Sequence, residues 1–130
     1  LLDRIDLHVE VTPVDYNDLA NDVPKEGSAG IRERVIQARK IQQARYTKTE
    51  FHSNAEMGSR EVRSFCELNK ESADLLKQAM NNFGFSARAY DRILKVARTI
   101  ADLDNKPTIA SSHIAEAIQY RSLDRESWAR

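Results

Sequence analysis

The sequence predicts a mainly α-helical fold, a compact helical bundle preceded by one orphan β-strand, and three observations lead there. Beyond residue 30, apolar residues recur at three- and four-residue steps in successive segments, the period of helices with one buried face. Strict alternation of apolar and polar residues occurs in one place, near the N-terminus. Residues that start and stop helices sit at the ends of the periodic segments.

In chain order, Ile5, Leu7, Val9 and Val11 alternate with Asp6, His8 and Glu10, which predicts a half-buried strand that Pro13 ends. A lone strand cannot satisfy its own backbone, so its partners are expected upstream. Leu1 is not a methionine, and the apolar segment begins at once, as in a piece of a longer chain. Residues 13–30 hold Pro13, Pro24, Gly27 and Gly30 among aspartates and asparagines, the composition of a linker. A helix is expected over Ile31 to Tyr46, with Ile31, Val35, Ala38, Ile41 or Gln42, and Arg45 at helical spacing. Thr47 to Gly58 lacks a period and reads as a loop, after which Ser59 caps a short helix through Val62, Phe65 and Cys66.

Asn69 is expected to cap the next helix, in which Ala73, Leu76, Ala79, Met80 and Phe83 recur at core spacing, and Gly84 to stop it. Ser86 caps a helix running to Leu103, with Tyr90, Ile93, Leu94, Ala97, Ile100 and Ala101 on one face. Asp104-Asn105-Lys106-Pro107 breaks it. A last helix runs from about Ser111 to Arg121 with Ile114, Ala117 and Ile118 inward, and Ile109 pairs with Ile114 across its start, although Ala110 is a poor cap. The tail after Leu123 is polar apart from Trp128 and is expected to fray. The domains expected are thus 1–12, 13–30 and 31–130.

A chain of 130 residues can bury a real core in one domain. Its 20 basic and 20 acidic residues cancel, so nucleic-acid or membrane binding has to come from a local patch. The apolar runs are far shorter than the roughly 20 residues that span a bilayer, so no membrane partner and a cytoplasmic setting are expected. Cys66 is the sole cysteine, which excludes an internal disulfide and suits a small core residue. His8, His52 and His113 are scattered without metal-ligand spacing, so no metal site is expected, and His113 fits the closing of its helix start. No glycine-rich phosphate loop followed by lysine and serine or threonine is present.

Two arginines have informative contexts. Arg88 falls in the first turn after Ser86, where unpaired backbone amides and the helix dipole favour an anion. Arg4 directly precedes the strand. The plainer reading of Arg88 is a solvated residue beside Arg92 and Lys95, and that of Arg4 a surface ion pair with Asp3 or Asp6. A third feature is the run Arg32, Arg34, Arg39, Lys40, Arg45 and Lys48 against the single acid Glu33. It could face nucleic acid, although a solvated face or a subunit contact is the commoner fate of such runs.

Leu1-Leu2-Asp3-Arg4-Ile5-Asp6-Leu7, then Ser86-Ala87-Arg88-Ala89-Tyr90-Asp91-Arg92-Ile93-Leu94, then His113-Ile114-Ala115-Glu116-Ala117-Ile118-Gln119-Tyr120-Arg121, resemble in order the C-terminal part of Mg-chelatase-like AAA+ ATPases. The resemblance is greatest to the bacterial competence-associated branch. It implies the last strand of an ATPase core followed by the helical lid. It also implies a homo-oligomeric ring, with ATP and Mg bound by the full-length protein and neither held by this fragment alone. Arg4 then corresponds to an arginine finger acting in trans, with Ile5 where many relatives carry phenylalanine, and Arg88 to a sensor 2 residue. The work implied is ATP-driven remodelling, of DNA if the competence branch holds. Two other readings stand beside it: a free-standing helical module binding DNA or protein, and the motor of a magnesium-porphyrin chelatase.

Overall fold

A computed structural model of the chain describes residues 4–11, 13, 15–20 and 26–121. The Leu-Leu-Asp before Arg4 and the tail with Trp128 lie outside these. The elements are α1 (Tyr16–Ala20), α2 (Ser28–Arg45), a 3-10 turn (Asn54–Glu56), α3 (Ser59–Phe65), α4 (Lys70–Phe83), α5 (Ala87–Leu103) and α6 (Ser111–Gln119). The fold is mainly helical, as the sequence predicts, and α5 is its centre, packed against α2, α3 and α6, with α4 closing on α6.

The reason is written in α5. Ala89, Ile93, Leu94, Ala97 and Ala101 are buried at three- and four-residue steps, and the alanines let neighbouring helices approach closely. Tyr90, expected inward, is 40% exposed, because it lies at the border of that stripe. Leu76 and Ala79 of α4, Val62 of α3, and Ile114 and Ala117 of α6 complete the core with Tyr46, Met57, Cys66 and Ile109. In α4 the residue turned inward near the start is Ser72, while Ala73 is exposed. Tyr46 meets the Phe65 ring edge-on at 5.2 Å, an arrangement favoured by the ring quadrupoles.

Capping follows the sequence closely in two helices. Asn69 accepts the Ser72 amide at 2.8 Å, Ser86 accepts the Ala89 amide at 3.1 Å, and Gly84 ends α4 with φ 64°, a left-handed conformation natural to glycine. At α6, Ala110 has no capping side chain, and the His113 ring substitutes by accepting the Ala110 amide on Nδ1 at 2.9 Å. Its other nitrogen, Nε2, meets Asp104 at 2.9 Å. At α3 the cap is Gly58, not Ser59, with Glu61 accepting the Gly58 amide at 3.0 Å.

The N-terminal segment departs from expectation. Among the described residues 5–11 no strand forms, since no second strand is there to supply a ladder. The alternation is also inverted: Leu7 and Val9 are 48% and 65% exposed, whereas His8 is buried. His8 donates its backbone N–H to the Tyr120 carbonyl at 2.8 Å, Arg121 donates Nη1 to the Ile5 carbonyl, and Asp6 pairs with Arg92. The segment is held by polar contacts to the ends of α5 and α6. Within the expected linker 13–30 lies the short α1, which its composition does not predict, and α2 starts at Ser28 instead of Ile31, with Gly30 inside the helix.

Candidate functional site

Arg88 is the second residue of α5 and is exposed. The backbone beneath it is fixed, because Ser86 caps the helix and Ala89 and Ile93 are completely buried. Its guanidinium therefore projects from a rigid helix start, the place where the helix dipole and first-turn amides act on an anion. One turn on, about 6 Å along the axis, Arg92 pairs with Asp6, which lies two residues after Arg4. This ion pair ties the segment carrying exposed Arg4 to the polar face of α5. Lys95, a further turn along, donates to the Ala55 carbonyl at 3.3 Å. A groove of about 790 Å³ runs between residues 6–9, α5 and α6, lined by Leu7, Val9, Val96, Ile100 and Tyr120 among others; neither Arg4 nor Arg88 borders it.

The basic run of α2 is split by the fold. Arg32, Arg39 and Lys40 are exposed, and Arg34 is exposed but paired with Glu26. Arg45, a candidate for nucleic-acid contact by sequence, turns inward instead. It donates to both oxygens of Asp102, at 2.6 and 2.9 Å, and to Asn54 Oδ1 at 3.0 Å. Asp102 is fully buried and also receives Arg98 at 3.3 Å and the Asn54 amide at 2.9 Å. Asn54 closes the cluster, accepting the Tyr46 hydroxyl at 2.7 Å and giving its backbone N–H to Gln42 Oε1 at 2.9 Å. Arg98 also donates Nη2 to the Lys106 carbonyl at 2.9 Å and Nη1 to the Pro107 carbonyl at 3.1 Å, which shapes the loop into α6.

The charges respond to these surroundings. The hydrogen bonds that Arg45 donates to Asp102 hold Arg45 above its ordinary pKa against the cost of burial, whereas burial pulls Arg98 down. Burial pushes the Cys66 thiol up to about 11, so Cys66 is a protonated core residue at neutral pH and no nucleophile. Burial likewise raises Tyr46. Among the described residues no three His, Cys, Asp or Glu side chains form a group able to hold a metal ion.

The sequence pattern did not reveal this hub as a unit, since Arg45 and Asp102 are 57 residues apart. A signal was nonetheless present. Arg45 falls on the inward stripe of α2, and Arg98 and Asp102 fall one turn apart beside Ala97 and Ala101 on that of α5.

Residues 25–121, which take in α2 to α6 and Arg88 but not Arg4, match the family described as magnesium chelatase, subunit ChlI C-terminal. The chain belongs to that family. Among relatives of this ChlI C-terminal domain, competence protein ComM of Haemophilus influenzae is 44% identical over 125 residues, which is 95% of this chain and 24% of ComM. The uncharacterized protein YifB of Escherichia coli is 42% identical, again over 95% of this chain and 24% of its own length. An uncharacterized Mycobacterium bovis protein is 28% identical over 93% of this chain and 24% of its length. The chain thus spans about a quarter of the length of the curated relatives it matches. The likeness to ComM and YifB agrees with the competence-associated, Mg-chelatase-like C-terminal region that the motifs resemble.

Proposed function

We propose that this domain is the helical lid of an AAA+ motor that uses ATP and Mg to remodel DNA, in which Arg88 senses the nucleotide and Arg4 acts as an arginine finger toward a neighbouring subunit in a ring. One observation carries the reading: Arg88 stands exposed in the capped first turn of a helix whose opposite face is locked into the core. A guanidinium there is permanently charged, planar and forked, and so suited to phosphate oxygens. The negative charge spread over the transferred phosphoryl group is what such cations stabilise. The donors concerned are cationic and suit a phosphate, not a metal. Mg accompanying the nucleotide would neutralise phosphate charge, and its ligands would be residues other than these arginines.

Because Arg88 rides on α5, a shift of the helical body relative to bound nucleotide would change its distance to the phosphates. Arg4 sits on a segment tied to the same body through Asp6 and Arg92, so both cations would move together. DNA is favoured over a porphyrin as the substrate remodelled because the 44% relative bears the name of a competence protein.

The test is ATP turnover by the full-length protein. Arg4→Ala is expected to lower kcat by roughly a thousandfold or more, the range seen when such fingers are removed. Arg88→Ala should also lower turnover, with the fold intact by circular dichroism, while Arg60→Ala on the exposed side of α3 should leave turnover unchanged. Near-normal turnover in both Arg4→Ala and Arg88→Ala would defeat the assignment.

A further inference from the structure

Three of the basic residues that α2 carries remain outward once the internal pairs are removed. Arg34 is matched by Glu26 and Arg45 by Asp102. Arg32, Arg39 and Lys40 are exposed. At about 100° per residue, Arg32, Ile36, Arg39 and Gln43 fall within an arc of about 60°, clear of the buried Ala38 and Gln42, and Lys40 follows along the outer border. Glu33, the single acid of α2, lies farther round and accepts the Gln37 amide at 3.0 Å.

The second observation is where this stripe sits. Every residue from Glu26 to Gln37 is exposed, and burial along α2 begins only at Ala38. Over this stretch no side chain is buried, and the helix meets the body only along one side, where Glu33, Arg34 and Gln37 border Leu103 and Asn105 and Val35 borders His52 and Thr99. A helix with its side chains is about 10–12 Å across, and the major groove of duplex DNA is about 12 Å wide. An exposed helix face with a cationic stripe has both the shape and the charge to lie against a duplex.

We infer that the outer face of α2 is a contact for duplex DNA, made by the exposed Arg32, Arg39 and Lys40 to backbone phosphates without reading sequence. The inference rests on the DNA part of the proposed function and not on its ATPase part. Phosphate contacts fix position without carrying sequence information. With the whole chain neutral, the attraction is local and is set by these three cations.

The experiment is fluorescence anisotropy of a labelled mixed-sequence duplex titrated with the 130-residue chain between about 50 and 200 mM salt. Three phosphate contacts predict a slope of log affinity on log salt of about −2.7. The triple variant Arg32→Gln/Arg39→Gln/Lys40→Gln should lose roughly tenfold or more in affinity and flatten the slope. The charge-matched control Arg60→Gln/Arg63→Gln/Lys77→Gln, exposed on α3 and α4, should bind like the wild type. No binding at low salt, equal loss in both triple variants, or binding to phosphatidylserine vesicles but not to the duplex would overturn the inference. In the full-length protein, DNA-stimulated ATP turnover that survives the α2 triple variant but not Arg88→Ala would overturn it as well, and would leave the motor reading standing.

Discussion

Helices α2 and α5 are nearly equal in length, 18 and 17 residues, and the fold uses them in opposite ways. In α5 seven residues are buried, five of them apolar, whereas α2 buries only Ala38 and Gln42. The first is held by apolar area removed from water, the second by polar contacts at one end, Arg45 and Gln42 reaching Asp102 and Asn54. A helix anchored in this way can leave every side chain of its first half exposed without losing its place. The same chemistry fixes its direction, because a bidentate guanidinium and carboxylate meet in few geometries.

The comparison can be broken most forcefully at the hub. Asp102→Ala leaves Arg45 and Arg98 buried beside no countercharge and should cost about 3–5 kcal/mol in urea unfolding. Trypsin should then cut α2 faster, and a cost below about 1 kcal/mol would show that the hub does not hold that helix. The next test puts one substitution on both helices. Ile93→Ala, in the centre of α5, should cost about 2–5 kcal/mol, while Ile31→Ala on the exposed first half of α2 should stay within about 0.5 kcal/mol. Equal costs would mean that Ile31 is covered.

The smallest effect is alkaline. The Cys66 thiol titrates near 11 in the fold against an ordinary 9.0, so the unfolded chain loses its proton first. Stability from this group is whole below pH about 9 and drains away as pH rises to about 11, by up to about 2.7 kcal/mol. Raised Tyr46 acts in the same direction. Unfolding measured across that window should show the slope, and Cys66→Ala should reduce it.

Which parts were legible in the sequence follows the same division. Asn69, Gly84 and Ser86 act as the caps and stop that local chemistry demands, and the α5 stripe emerges where the period places it. Short-range rules suffice there because each signal lies within four residues of its effect. Apart from Arg98 and Asp102, one turn apart on α5, the hub joins residues 8 to 57 positions apart, so the spacing that puts Arg45 on the inward stripe of α2 gave no sign of the partners it would meet there. Gly27 and Gly30 read as linker residues, yet α2 begins at Ser28, since helix propensity is a weak preference that neighbouring turns can override. The alternation at residues 5–11 promised a half-buried strand, and without a partner strand the buried residue became His8. Of the candidate site, the position of Arg88 was readable from the cap before it. The tie between the Arg4 segment and α5 depends on Asp6 meeting Arg92 across 86 residues and was not.

The hydrogen bond from Arg121 to the Ile5 carbonyl spans 116 residues of sequence and joins the way into the helical body to the way out. With His8 bonded to Tyr120 next to it, entry and exit form a single knuckle. A pull on the chain before Ile5 and a pull after Arg121 therefore meet at this knuckle before they reach the core.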